Sequence, residues 1–422
     1  MSTVHEPRSA ESNPKPGSVK TPVYMDNSAT TRCDPRVVEK ILPFFAEDFG
    51  NAASRNHPFG WAAESAVDEA RENVAKLLGA HQKEIIWTSG STESNNLAIK
   101  GVAEMYAQKG KHLISAPTEH KAVIDPLKHL EQQGYEVTWL DVDPKGRISM
   151  EQLRDAIRED TVLVTLMAAN NEIGTAHPIA EIGKLCKEKG VLFHTDATQV
   201  AGRMLLDVQE QQLDLVSLSA HKFYGPKGVG ALYVRRKNPR VRLAPMLDGG
   251  GHERGMRSGT LNVTGIVGMG EAARIAREDF DQDLAHVTTL RDRLEKTIME
   301  ALPDSVINGD TDSRLPHLTN ISFPYVEGES LIMGIKDVAV SSGSACTSAS
   351  LEPSYVLKSL GLGDELAHSS IRFSVGRFNT EAEVDFVADQ VVREVTRLRE
   401  MSPLWEMVQE GVDLSKVKWT AH

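Results

Sequence analysis

The apolar positions of this chain fall into short dense blocks separated by amphipathic stretches. Runs at 84–88, 112–116, 136–140, 162–167, 191–195, 213–218 and 229–235 are rich in Val, Ile and Leu and have strand length. Between them, apolar positions recur with helical spacing at 61–78, 92–108 and 179–189. Nearly continuous apolar strands alternating with helices predict an α/β fold with a mostly parallel sheet covered by helices. A long helical stretch near 281–301 then leads to a second unit, where 319–323 and 370–374 read as strands and 381–400 as a helix. That unit reads as a smaller α+β domain. The chain thus divides into a polar tail at 1–22, which reads as disordered, a large domain at 23–280 whose first segment reaches the second unit, and a small domain at 281–422.

Composition narrows the function. The chain has 422 residues, 40% of them hydrophobic and 25% charged, as in an ordinary globular protein. A net charge of -12 argues against general attraction to nucleic acid or to anionic membranes. No apolar run approaches the ~20 residues of a membrane span, and the N-terminal region has neither a signal-peptide nor a transit-peptide pattern. A cytoplasmic enzyme is the expectation. The three cysteines, Cys33, Cys186 and Cys346, lack disulfide-framework, zinc or CxxC spacing.

Candidate chemistry begins with Lys222, in Ser219-Ala220-His221-Lys222-Phe223-Tyr224-Gly225-Pro226, after the apolar run 213–218. A lysine at the exit of a buried strand, beside other cationic groups, is placed to supply the neutral amine that a Schiff base requires. The same residues would also suit a solvated lysine ahead of a Gly-Pro turn. Asp196 ends the preceding strand, and ligands of open α/β sheets bind at such carboxyl ends. A carboxylate there can keep a pyridine nitrogen protonated, as pyridoxal phosphate (PLP) enzymes require; alone it would equally serve as a helix N-cap. Ser89-Gly90-Ser91-Thr92 turns a strand into a helix, and a helix start with Ser91 and Thr92 hydroxyls suits a phosphate, or simple capping. The run Gly225–Gly230 precedes a strand and so fails as a dinucleotide fingerprint. Cys346 sits in Ser341-Ser342-Gly343-Ser344-Ala345-Cys346-Thr347-Ser348-Ala349-Ser350, a small-residue segment that reads as a mobile loop over 341–352. A mobile thiol suits a reaction that picks something up and carries it away. Cys186, on the apolar face of a helix, reads as core. His194 reads as packing, and the basic run 235–242 as a solvated loop.

Several motifs together resemble the cysteine desulfurases of the housekeeping, iron–sulfur-assembly type, which are class-V aminotransferases of the fold-type I PLP-dependent transferases. They are Tyr24-Met25-Asp26-Asn27-Ser28-Ala29-Thr30-Thr31, Thr118-Glu119-His120-Lys121, Asn170-Asn171-Glu172-Ile173-Gly174, His194-Thr195-Asp196-Ala197-Thr198-Gln199, His221-Lys222, the Cys346 segment and the Gly-rich stretch 249–260. The resemblance implies that L-cysteine is converted to L-alanine, with sulfur carried as a persulfide on Cys346. It implies that Lys222 holds PLP and moves the Cα proton, that Asp196 faces the pyridine nitrogen and Gln199 the ring hydroxyl, and that His120 stacks on the ring. It assigns the phosphate to Thr92, Ser219 and His221, beside the helix-start candidate Ser91 and with Thr260 from the second subunit of a homodimer, and gives the substrate carboxylate to Asn171, also a cofactor-binding candidate, and Arg372. It further implies an iron–sulfur scaffold protein and other sulfur acceptors as partners, sulfur for cluster assembly and tRNA thiolation, a transient [2Fe–2S] cluster touching Cys346, and docking by the tail 402–422. A PLP enzyme of another reaction class, such as an aminotransferase or selenocysteine lyase, would share Lys222 and Asp196 without needing Cys346. A non-catalytic assembly scaffold would need neither.

Overall fold

The computed structural model describes residues 19–342 and 353–411. Its strands are β1 (Val23–Tyr24), β2 (Ile85–Thr88), β3 (His112–Ser115), β4 (Glu136–Trp139), β5 (Thr161–Thr165), β6 (Leu192–Asp196), β7 (Leu215–Ser219), β8 (Gly230–Val234), β9 (Val306–Asn308), β10 (Leu318–Ser322), β11 (Val338–Ala339) and β12 (Ser370–Ser374). Seven form one sheet in the order β2-β8-β7-β6-β5-β3-β4. β8 runs antiparallel to both its neighbours; the other pairs are parallel. The carboxyl ends of β2, β3, β5, β6 and β7 therefore lie along one edge, where α/β sheets bind ligands. β5, β6, β7 and β8 are buried along their whole length, which explains apolar runs without alternation.

Helices cross over between the parallel strands, among them Ser91–Met105, Lys121–Gln132 and Ile179–Lys189. The last closes on Gly190 in the left-handed region (φ 68), whose N–H bonds back to Cys186 O. Cys186 is fully buried in the main core, as its helical position predicts. The helices Pro58–Leu77 and Val263–Glu278 pack against each other at close range. A Cβ on Gly270 would stand 2.4 Å from Ala70 Cα, and one on Gly268 2.8 Å from Pro226 Cγ. Gly270 lets the two helix backbones approach and Gly268 leaves room for the Pro226 ring, at the expense of helix propensity.

A second core surrounds the antiparallel sheet β12-β10-β9 and the helices Phe280–Ala301 and Glu381–Glu400. The latter starts with a capping box made by Thr380 and Glu383. Val23 and Met25 belong to this second core, and Val19, the first described residue, packs against it. β1 pairs with β11, and Asp26 bridges to Ser374. The segment 23–31 thus leaves the second core and runs to the edge of the large sheet.

The basic run 235–242 is not uniformly solvated. Arg235 is 7% exposed; it donates to Val208 O at 2.7 Å and Leu213 O at 3.0 Å and pairs with Asp214 at 3.2 Å. Its guanidinium serves carbonyls at the opposite end of the sheet, a role that sequence polarity does not reveal. In the C-terminal tail, Pro403–Gln409 is helical and Trp405 packs on its own chain, 5.5 Å from the Tyr325 ring with Arg399 4.7 Å over its face. The expected docking residues from 412 onward lie outside the described residues.

Candidate active site

Five strand ends carry the candidate residues. After β2 the chain turns through Ser89 and Gly90 into Ser91–Met105, and Gly90 is the N-cap, so no side chain caps this helix start. Its first amides suit an anion, with the Ser91 and Thr92 hydroxyls beside them. Ser89 N–H donates to Glu93 at 2.8 Å, Thr88 Oγ1 meets Ser94 Oγ at 2.7 Å, and Arg257 pairs with Glu93 at 2.8 Å. A Cβ on Gly230 would lie 2.6 Å from Gly90 Cα, so β8 and the turn meet backbone to backbone. A Cβ on Gly90 would lie 3.7 Å from Ser219 Oγ, which sets that hydroxyl against the same turn.

β7 ends at Ser219 and a 3₁₀ turn, Ala220–Lys222, follows. Lys222 is partly buried, and its Nζ donates to Ser28 O at 2.6 Å and Ala29 O at 2.8 Å. His221 Nδ1 lies 3.0 Å from Thr30 Oγ1. Burial, then the charges of Lys222 and Lys227, push the His221 pKa down to about 4, so it is neutral at physiological pH. On the neighbouring parallel strand β6, Asp196 is buried; it accepts from Asn95 Nδ2 at 2.7 Å and from Thr198 N–H at 3.0 Å. Gln199 donates to Ser28 O at 3.0 Å. His194 is fully buried between Thr165 Oγ1 and Ser217 Oγ, at 2.8 and 2.9 Å, in the packing role its sequence position suggests.

His120 follows β3 and caps the helix Lys121–Gln132 by accepting from Ala122 N–H at 3.0 Å. Asn171 follows β5. Its turn is built by buried Asn170, whose side chain accepts from the amides of Glu172 and Ile173 at 2.8 and 3.0 Å. Arg372 enters from β12, 2% exposed, donating to Asn171 O at 2.8 Å and to Asp26 at 2.7 Å. Cys346 lies outside the described residues, but chain on both sides of it attaches here. Ser341 O accepts from Arg372 N–H at 2.8 Å, Ser354 Oγ donates to Glu172, and Tyr355 Oη donates to Glu119 O at 2.7 Å. Thr260 is exposed, in a stretch tied to its own chain through Arg257–Glu93 and the buried Arg71–Glu253 pair at 2.7 Å.

The class-V aminotransferase family model matches residues 23–387. A cysteine desulfurase IscS of Anaeromyxobacter sp. (strain Fw109-5) is 62% identical over 401 residues, 95% of this chain and 99% of that one. One from Vibrio campbellii is 58% identical over 96% of this chain and all of its own. The chain belongs to the cysteine desulfurases of the class-V aminotransferase family. Among solved structures, a NifS-like protein superposes with a TM-score of 0.82 at 38% identity, covering 89% of this desulfurase-family chain and 99% of its own. SspA in complex with cysteine gives 0.75 at 36% identity, covering 85% and 100%. The fold is that of the fold-type I PLP-dependent transferases, and the family uses PLP.

The residues present fit that cofactor. An amine, a buried carboxylate and an uncapped helix start share one sheet edge. Gln199 Oε1, Thr198 Oγ1 and Asn95 Oδ1 around Asp196 are buried without a partner among the described residues, a polar set suited to a substituted pyridine.

Several groups that shape this site are not evident from the sequence alone. Asn95 holds Asp196, Asp26 holds Arg372, and Asn170 shapes the Asn171 turn. Polar Ser94 and Asn95 on a buried helix face were the available signal. Glu172, in the same turn, is buried. Burial pushes its pKa up to about 7, against the opposing pull of the Ser354 hydroxyl and the charges of Arg372 and His120. The folded state therefore favours the protonated acid. Its contribution to stability is complete below the unfolded carboxyl pKa near 4.5 and is lost as pH rises through about 7. Glu172→Gln should flatten the stability profile between those limits, by on the order of 3 kcal/mol. Melting temperatures of both proteins across that range check this; parallel profiles would refute it.

Proposed function

We propose that this protein desulfurates L-cysteine to L-alanine at the edge formed by β2, β3, β5, β6 and β7, with the sulfur passing to Cys346 as a persulfide. The observation that carries the reading is the convergence of Lys222, Asp196 and the helix start at Ser91 on one sheet edge, with Arg372 arriving from the second sheet. PLP bound there supplies an electron sink that makes the substrate Cα proton acidic and the C–S bond breakable. Lys222 would hold the cofactor and then move the Cα proton. Asp196 would keep the ring nitrogen protonated, Gln199 would meet the ring hydroxyl and His120 would stack and shuttle protons. Ser91, Thr92, Ser219 and His221 would bind the phosphate, joined by Thr260 of a second copy in a homodimer. Arg372 and Asn171 would orient the substrate carboxylate, a task suited to a rigid, permanently charged fork.

In the transfer, Cys346 thiolate forms a bond to the substrate sulfur while the substrate C–S bond breaks. The carbon fragment keeps the bonding electrons and takes up a proton, so a thiol and cysteine become a persulfide and alanine. Cys346→Ala should still bind PLP and cysteine but should accumulate no persulfide. Mass spectrometry after cysteine treatment, with assays of sulfide and alanine, tests this. Undiminished turnover would favour a lyase or aminotransferase reading; a productive persulfide on Cys33 or Cys186 would reject the role of Cys346. Burial raises the thiol pKa at both of those positions, which disfavours the reactive thiolate.

The persulfide would pass to acceptor proteins, including an iron–sulfur scaffold and a tRNA-thiolation relay, in the cytoplasm, with a [2Fe–2S] cluster touching Cys346 transiently. No helix among the described residues is long and apolar enough to cross a membrane. Because Trp405 packs on its own domain, docking would fall to the residues beyond it. Truncation after Gly411 should leave cysteine turnover with a small-molecule reductant nearly intact while scaffold affinity falls. Unchanged affinity by calorimetry would discard the docking role.

A further inference from the structure

Lys222 is held at both ends by one buried network that reaches across the two cores. Its amine sits on the carbonyls of Ser28 and Ala29. Its own carbonyl accepts from Arg203 Nη2 at 2.8 Å. The same nitrogen donates to Asn27 O at 3.2 Å, and Arg203 Nη1 makes a short hydrogen bond to His317 Nε2. Ser28 Oγ lies 3.1 Å from that Nε2, and Ser28 N–H donates to Ser374 Oγ at 2.9 Å. Arg203 and His317 are 7% and 1% exposed.

The protonation states follow from the geometry. A guanidinium has donors and no acceptor, so His317 Nε2 must accept from Arg203, and the ring proton belongs on Nδ1. A charged imidazole would have no lone pair for this contact. Burial, then the charges of Arg203, Arg372, Arg291 and Lys222, hold the His317 pKa far below its ordinary value, in agreement. Ser28 Oγ lies against the same nitrogen, so the Arg203 and Ser28 donors share its single lone pair in one three-centred contact. The pair therefore clamps residues 27 and 28 on one side and the Lys222 backbone on the other. An amine on a four-carbon stem has much freedom to lose; fixing its base and its two acceptors together removes much of the search.

We propose that Arg203 and His317 are positioning residues for Lys222, setting the backbone and the carbonyl pair that hold its amine where it meets the cofactor. This rests on the reading of Lys222 as the PLP lysine. Arg203 sits seven residues beyond Asp196 and His317 lies in the second domain, so the clamp also makes lysine placement depend on the seating of the two cores.

The test separates cofactor binding from bond formation. Cofactor-stripped full-length protein is mixed with PLP, and non-covalent binding is followed by quenching of intrinsic fluorescence. The first-order growth of visible absorbance then reports the Lys222–PLP linkage, confirmed by borohydride reduction and peptide mapping. Arg203→Met and His317→Leu should bind PLP at near wild-type affinity, yet form the linkage about tenfold or more slowly, as expected for a displaced reactive group. Arg203→Lys and His317→Asn, which preserve a donor and an acceptor, should recover most of the rate. If Arg203→Met fails to fold, as judged by melting, His317→Leu decides alone, with Ser28→Ala as a milder probe that keeps the carbonyl. Wild-type linkage rates in the folded His317→Leu protein would overturn the proposal. A wild-type protein that forms no linkage at Lys222 would instead overturn the assignment of Lys222 itself.

Discussion

Lys222→Ala is expected to lose the visible absorbance of the lysine–PLP linkage and to reduce cysteine turnover by about 10³-fold or more. The amine sits 2.6 and 2.8 Å from two backbone carbonyls at the end of β7, one strand from Asp196. The variant would lose both the covalent hold on the cofactor and the group that moves the Cα proton. The fold should survive, because Lys222 contributes no apolar packing to the main core. PLP binding through the helix start at Ser91 should persist, more weakly. A Lys222→Ala protein that turns over cysteine at the wild-type rate would end the assignment. The same variant tests the dimer. Thr260 is exposed on its own chain, whereas the family resemblance gives it to the other subunit's phosphate. A heterodimer of Lys222→Ala with Thr260→Ala places both changes in one site and leaves the second site intact. At PLP concentrations that leave the Thr260→Ala homodimer unloaded, it should recover about half the wild-type sites, a count that follows from simple loading of two independent sites. No recovery would show that Thr260 serves its own subunit.

Asp196→Asn is expected to lower turnover by about 10²–10³-fold, the range seen when one preorganised electrostatic partner is removed. The change keeps the shape of the side chain and removes its charge. In the present arrangement both carboxylate oxygens are in use, by Asn95 at 2.7 Å and by the Thr198 amide at 3.0 Å. Those contacts orient the carboxylate and make it costly to rotate away. An asparagine would have to turn its amide nitrogen toward one of two donors, so the variant should also bind PLP less tightly. Steady-state kinetics, together with absorbance of the bound cofactor, measure both effects. Activity within a few-fold of wild type would remove Asp196 from the cofactor site. Burial raises the pKa of nearby Glu119 well above the usual range; the Met167 amide opposes that rise and the charge of Asp196 adds to it.

Strand and helix placement was largely legible in the chain. Ile179–Lys189, Ser370–Ser374 and Glu381–Glu400 occupy the stretches their periodicity predicts, and the seven apolar runs all enter one sheet. Lys222 and Asp196 stood out because each follows a buried strand, and parallel strands put such residues on the same edge. Other elements were hidden. Lys121–Gln132 carries Pro126 inside it, and Val263–Glu278 carries three glycines, so local propensity speaks against both helices. Tertiary contact overrides it: two glycines of the second, Gly270 and Gly268, are where the helix meets Ala70 and Pro226.

What periodicity and turn chemistry determine is local, because they act through neighbours a few residues apart. By themselves they specified the alternating strands and helices, the strand-end positions of the chemical groups and the burial of Cys186. The arrangement of those groups into a site was decided by contacts far apart in sequence. Arg372 meets Asp26 and Asn171, His317 meets Arg203, and Ser354 meets Glu172. Each joins segments more than a hundred residues apart, and each satisfies a polar group that burial would otherwise leave costly. A polar residue in a sequence shows its capacity for such a bond; only the folded backbone selects the partner.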